Sequence, residues 1–137
     1  MKGFETLLKE AVSDYEGKFS ELIHQAPYLY GLMVNLLDDS DLPKNLSPLV
    51  IASIAYFIIP EEKDVIPEQG PLGYRDDIFL CAFVADHVME ETGSEDILNR
   101  NWFGETPIIP LVRDILGREK DLIGEKKAQL MKYIAEE

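Results

Sequence analysis

Four carboxylates, Asp64, Glu68, Asp76 and Asp77, fall within 14 residues in and beside a stretch stiffened by Pro60, Pro67 and Pro71. Hard cations such as Ca²⁺, Mg²⁺ and Mn²⁺ want several oxygen ligands converging on one point. This acidic turn is therefore a candidate divalent-cation site. If Asp64 faced Asp76 or Asp77 across a pocket, the pair could also do general acid–base work, which would make the chain a metal-dependent hydrolase. The spacing is not that of an EF-hand loop, since acids do not alternate and no glutamate stands at the twelfth position. The same residues have structural uses. Asp76 or Asp77 can cap a helix, Asp64 can hydrogen-bond its own turn, and each can pair with Arg75, Arg100 or Arg113. Those structural roles are the leading expectation, and the cation site is the alternative.

A second set lies further on. Asp76, Leu80, Phe83, His87 and Glu90 or Glu91 recur at steps of three and four, so they share a helix face. His87 and Glu91 are four apart and can meet; a carboxylate from a neighbouring helix would complete a Zn²⁺ site or a carboxylate-bridged metal pair. Asp76 and His87 are eleven residues apart, about 16 Å along a helix, and cannot share one ion. The simpler expectation is a histidine stabilised by the negative end of its helix. Nucleophilic catalysis finds little footing. Cys81 stands among Leu80, Ala82, Phe83 and Val84, the setting of a small core residue rather than a thiolate. No serine has a G-x-S-x-G context, and neither G-x-x-x-x-G-K nor G-x-G-x-x-G occurs.

The elements that would carry these residues are helical. Phe4, Leu7, Leu8, Ala11, Val12, Tyr15, Phe19, Leu22 and Ile23 keep a helical period over five turns, and Pro27 is expected to end or kink that helix. Leu29, Met33, Leu36 and Leu37 mark a second, and Asp38 to Pro43 reads as a loop. Ser47-Pro48 is a good start for a helix that is apolar nearly all round and stops before Pro60. Asp76-Asp77 opens another apolar helix, which ends near Gly93. Ser94-Glu95-Asp96 and Thr106-Pro107 start two more, and Gly117 and Gly124 interrupt the last stretch. No strand or hairpin pattern appears. The expectation is an all-α, single-domain bundle over 1–137. Its centre is two apolar helices, about 48–59 and 76–92, joined by a turn rich in proline, glycine and acid and wrapped by amphipathic neighbours.

Around that turn, Tyr56, Pro60, Asp64, Ile66, Pro67, Glu68, Gly73, Asp76 and Asp77 follow an order of Y-x-x-x-P, then D-x-I-P-E, then G-x-x-D-D. This resembles the YkvA-like family, a domain of unknown function, over about 30 residues, with the motifs in 56–77 inside a core of about 47–92. Glu61-Glu62-Lys63 widen a gap that the family usually closes with one residue, and Glu68 stands where it usually has Asp. The step to Gly73 is slightly short. The resemblance implies a helical fold and, in some members, membrane association. It implies no agreed activity.

Charge narrows the partners. Residues 61–96 hold 2 basic and 11 acidic residues, a net −9 of the chain's −13. Such a surface repels nucleic-acid phosphates and anionic membranes and can attract cations or a basic partner. The apolar runs of 11 and 8 residues fall short of the roughly 20 that span a bilayer, although a shallow monotopic association is a further alternative. One cysteine forms no internal disulfide, which fits a reducing cytoplasm. The leading expectation is a non-enzymatic interaction or scaffold module, a homo-oligomer or one member of a protein pair. Trp102, Phe103 and the acidic 61–68 turn are its candidate contact surfaces.

Overall fold

The buried side chains gather around one helix. In the computed structural model, which describes residues 3–58 and 70–135, that helix is α5, Arg75–Thr92. It packs against α2 (Ser20–Ile23), α3 (Ala26–Leu37), α4 (Ser47–Ile58), α6 (Asp96–Asn101), α7 (Ile108–Gly117), α8 (Glu119–Ile123) and α9 (Lys127–Ala135). The remaining helix, α1 (Phe4–Val12), lies on α3. No strand occurs among the described residues, and the architecture is the expected all-α bundle.

The sequence of α5 accounts for its place. From Ile78 to Ala85 its residues are apolar, and all but Phe83 are buried; Val88 continues the inward face. Each fully buried Leu, Ile or Phe contributes about 1.5–3 kcal/mol relative to exposure. Polar residues from Asp86 onward carry the helix out of the core, and it ends at Gly93. There φ is 68°, in the left-handed region, and the Gly93 N–H donates to Met89 O at 2.8 Å.

The expectations for two regions need correction. The apolar period from Phe4 to Ile23 is not one helix. α1 stops at Val12, where Ser13, Asp14 and Gly17 are poor helix formers, and Phe19 turns the chain with φ at 62°. The Tyr15 hydroxyl donates to Lys18 O at 2.9 Å and His24 Nε2 donates to Tyr15 O at 2.7 Å, which stabilises the turn. Pro27 does not end a helix either. It lies in the first turn of α3, where its missing N–H costs nothing.

The second correction concerns α4. It grows out of a 3-10 turn, Lys44–Leu46, so Ser47 is a helical residue rather than a cap. Val50, Ser53, Tyr56 and Phe57 face the core, and the Ser53 hydroxyl is satisfied by Val50 O at 2.8 Å. The opposite side is not wrapped by neighbours. Pro48, Ile51, Ala55 and Ile58 are exposed, Ile51 by 51% and Ile58 by 60%. A row of rings ties this region together. Phe4, Tyr30, Phe57 and Tyr74 follow one another with centroids 4.9, 5.5 and 6.1 Å apart, linking α1, α3, α4 and the 3-10 turn Pro71–Tyr74 that leads into α5.

Candidate functional site

Two of the four predicted carboxylates lie in the first turn of α5, and both are buried. Asp76 is wholly inaccessible. Its Oδ2 accepts the Tyr56 hydroxyl at 2.6 Å and its Oδ1 accepts the Asp77 N–H at 3.1 Å. Short bonds to a carboxylate are the stronger kind. The tyrosine and the aspartate of the motif therefore meet across the α4–α5 junction and fasten the two helices at the point where the chain enters α5. Gly73 is buried in the 3-10 turn just before it. Asp64 and Glu68, together with Pro60, Ile66 and Pro67, lie outside the described residues, as does the acidic 61–68 turn.

Asp77 shapes the chemistry of its neighbour one turn on. Burial pushes the Cys81 thiol well above its ordinary pKa, and the Asp77 carboxylate adds to the rise. Cys81 is a fully buried, protonated core residue, which matches its apolar sequence setting.

The aromatic pair after α6 divides. Trp102 is half-buried, with its indole N–H donating to Thr106 O at 2.7 Å and its ring edge-on to Tyr28 at 6.3 Å. Phe103 is 75% exposed. The other exposed large apolar side chains are Leu7, Val34, Leu37, Ile51 and Ile58. Val34 and Leu37 lie on α3, the helix that packs beside α4, and the two isoleucines lie on α4 itself. On a helix with 3.6 residues per turn, Pro48, Ile51, Ala55 and Ile58 fall within an arc of about 80°. None of the twelve residues of α4 is charged. This stripe is the most concentrated exposed apolar feature on any one described element.

A further network had no forecast in the sequence. Arg100 on α6 donates through Nε to Asp39 Oδ2 at 2.8 Å, and through Nη2 to Asp39 Oδ1 and Asp41 Oδ2, each at 2.7 Å. The Asn101 amide adds a bond to Asp39 Oδ2 at 2.8 Å, and Asp39 Oδ1 also accepts the Asp41 N–H. These donors, the guanidinium first, hold the Asp39 carboxyl well below the usual carboxylate range. The Asp-rich loop after α3 is thereby clamped to α6. The only sequence signal was an acidic loop, and nothing in it named Arg100 as the partner.

Surface hollows are shallow and mixed in lining. One of about 340 Å³ has Lys9, His24, Gln25, Tyr28 and Thr106 on its walls. Lys9 lies over the Tyr28 ring at 5.2 Å, and Gln25 reaches Thr106 at 3.4 Å.

The chain is similar to the uncharacterized protein ORF9 of Methanothermobacter thermautotrophicus. The two are 27% identical over 130 residues, 93% of this chain and 87% of that protein. No protein-family model matches the chain, and no solved structure matches it. Among the described residues, no helix is long and apolar enough to cross a membrane.

Proposed function

We propose that this protein is a non-enzymatic interaction module of the YkvA-like type that associates with a second copy of itself through α4. The observation that carries the reading is the uncharged stripe of Pro48, Ile51, Ala55 and Ile58, open to solvent on a helix whose other side is core. Ridges of a twofold-related α4 fit such a stripe, because each copy presents the same apolar surface and neither must desolvate a charge. Val34 and Leu37 on α3, the helix that packs against α4, are exposed as well. The buried Tyr56–Asp76 bond supports this division of labour. It gives Tyr56 and Asp76 of the motif a structural task, which is to hold α4 against α5 while the outer face of α4 stays free.

The test is sedimentation of the full chain over a concentration series, with Ile51→Glu and Ile58→Glu compared with the unmodified protein. The expected result is a reversible dimer whose association is lost in both variants while circular dichroism is unchanged. A monomer at every concentration would overturn the reading. Co-sedimentation with neutral phosphatidylcholine vesicles, abolished by the same variants, would assign the stripe to a lipid surface instead.

A further inference from the structure

At the far end of α5 from the Tyr56–Asp76 pair, three different side chains converge. Asp86, His87 and Glu90 each offer a ligand atom, and these atoms all lie within 4.8 Å of one another. We propose that they form a site for a divalent transition-metal ion of the Zn²⁺ type. The sequence pairs His87 with Glu91 at a four-residue step; the structure gathers Asp86 and Glu90 around the imidazole instead, and all the protein ligands come from one helix.

The histidine is prepared for such a role. Its Nδ1 lies 3.2 Å from Phe83 O, one turn back. A carbonyl only accepts, so Nδ1 is the donor, and the nitrogen left for a ligand is Nε2. A backbone carbonyl that fixes the tautomer and the ring direction is a usual outer partner of a metal-bound histidine. The ring also lies against Phe83, with centroids 4.5 Å apart, which limits its rotation.

Electrostatics points the same way and does not depend on the convergence. The carbonyl end of a helix is its negative pole, and carboxylates there are unfavourable. α5 places Glu90 and Glu91 in that region with no basic residue in its last turn. Two nearby cations already have carboxylate partners: Arg113, which shares a hollow with Asp86 and Glu90, faces Glu95 at 3.7 Å, and Lys127, which lies over the Phe83 ring at 5.7 Å, faces Glu119 at 3.5 Å. A divalent ion would neutralise this end of the helix. One imidazole and two carboxylates suit Zn²⁺, Co²⁺ or Ni²⁺ better than Ca²⁺, which prefers a larger all-oxygen set. Three protein ligands would leave the remaining positions to water.

The chain has two histidines, His24 and His87, and this makes the test decisive. Metal-stripped full-length protein is titrated with Co²⁺ and followed by visible absorption, then with Zn²⁺ by calorimetry. The expected result is one ion per chain. Binding should vanish in His87→Ala and persist in His24→Ala. In Glu90→Gln it should weaken at least as much as the roughly tenfold that loss of an outer partner brings. Circular dichroism checks that each variant is folded, and Asp86→Asn serves if His87→Ala is not. No saturable binding, binding that survives His87→Ala, or binding that requires His24 would each overturn the site.

Discussion

The Tyr56 hydroxyl and Asp76 Oδ2 are 2.6 Å apart with both side chains closed to solvent, so water cannot replace either partner. Removing the donor alone leaves a buried carboxylate oxygen short of one bond. Tyr56→Phe is therefore expected to destabilise by about 1–3 kcal/mol, read as a lower denaturant midpoint with an unchanged slope. An unchanged midpoint would mean that the bond does not hold α4 to α5. The Asp39 clamp behaves differently because it is near the surface and tied to pH. Its folded-state pKa is depressed by Arg100 and Asn101. The stability it contributes is thus fully present above the ordinary aspartate value of about 3.9 and is lost as pH falls through the folded value. Melting temperatures of the unmodified protein and Asp39→Asn should differ at about pH 7, and the gap should narrow steadily as pH falls below about 4. A gap that does not narrow in acid would mean that the clamp works through packing and not through charge.

At the scale of elements, what sequence periodicity revealed depended on how a helix is covered. α5 was legible because eight apolar residues in a row admit no solvent side, and Gly93 marks its end through a φ that other residues avoid. The breaks at Ser94, Gly117 and Gly124 also stand where local chemistry placed them. The sequence does not separate α1 from α2, because the inward residues keep their period across the break. The disruption lies in Gly17 and in a left-handed Phe19, which no propensity for phenylalanine foretells. Twelve residues without a charge make α4 resemble a core helix in sequence, although one side of it is open. Whether neighbours cover its second side depends on tertiary placement, which composition does not encode. The site divides in the same way. The first-turn position of Asp76 and Asp77 was legible from their place before an apolar run. The bond from Tyr56, twenty residues earlier, needed the crossing of α4 and α5.

For the molecule as a whole, the decisive quantity is a net charge of −13, with −9 of it between residues 61 and 96. Like charges held close by folding repel one another, and dissolved salt weakens that repulsion. Specific pairs such as Arg100 with Asp39 and Asp41 work against this trend, because salt weakens attraction too. The acids outnumber the bases twofold, 26 to 13, so repulsion should win. Raising NaCl from about 0.01 M to about 0.15 M shortens the screening length from about 30 Å to about 8 Å, and the melting temperature is expected to rise over that range. If copies associate through α4 as proposed, the same change should strengthen that association, since the contact would be apolar while the two bodies it joined would both be acidic. Sedimentation at the two salt concentrations checks this directly. A melting temperature that rises while association weakens would show that the copies are held by charge complementarity, and would transfer the contact from α4 to the acidic surface.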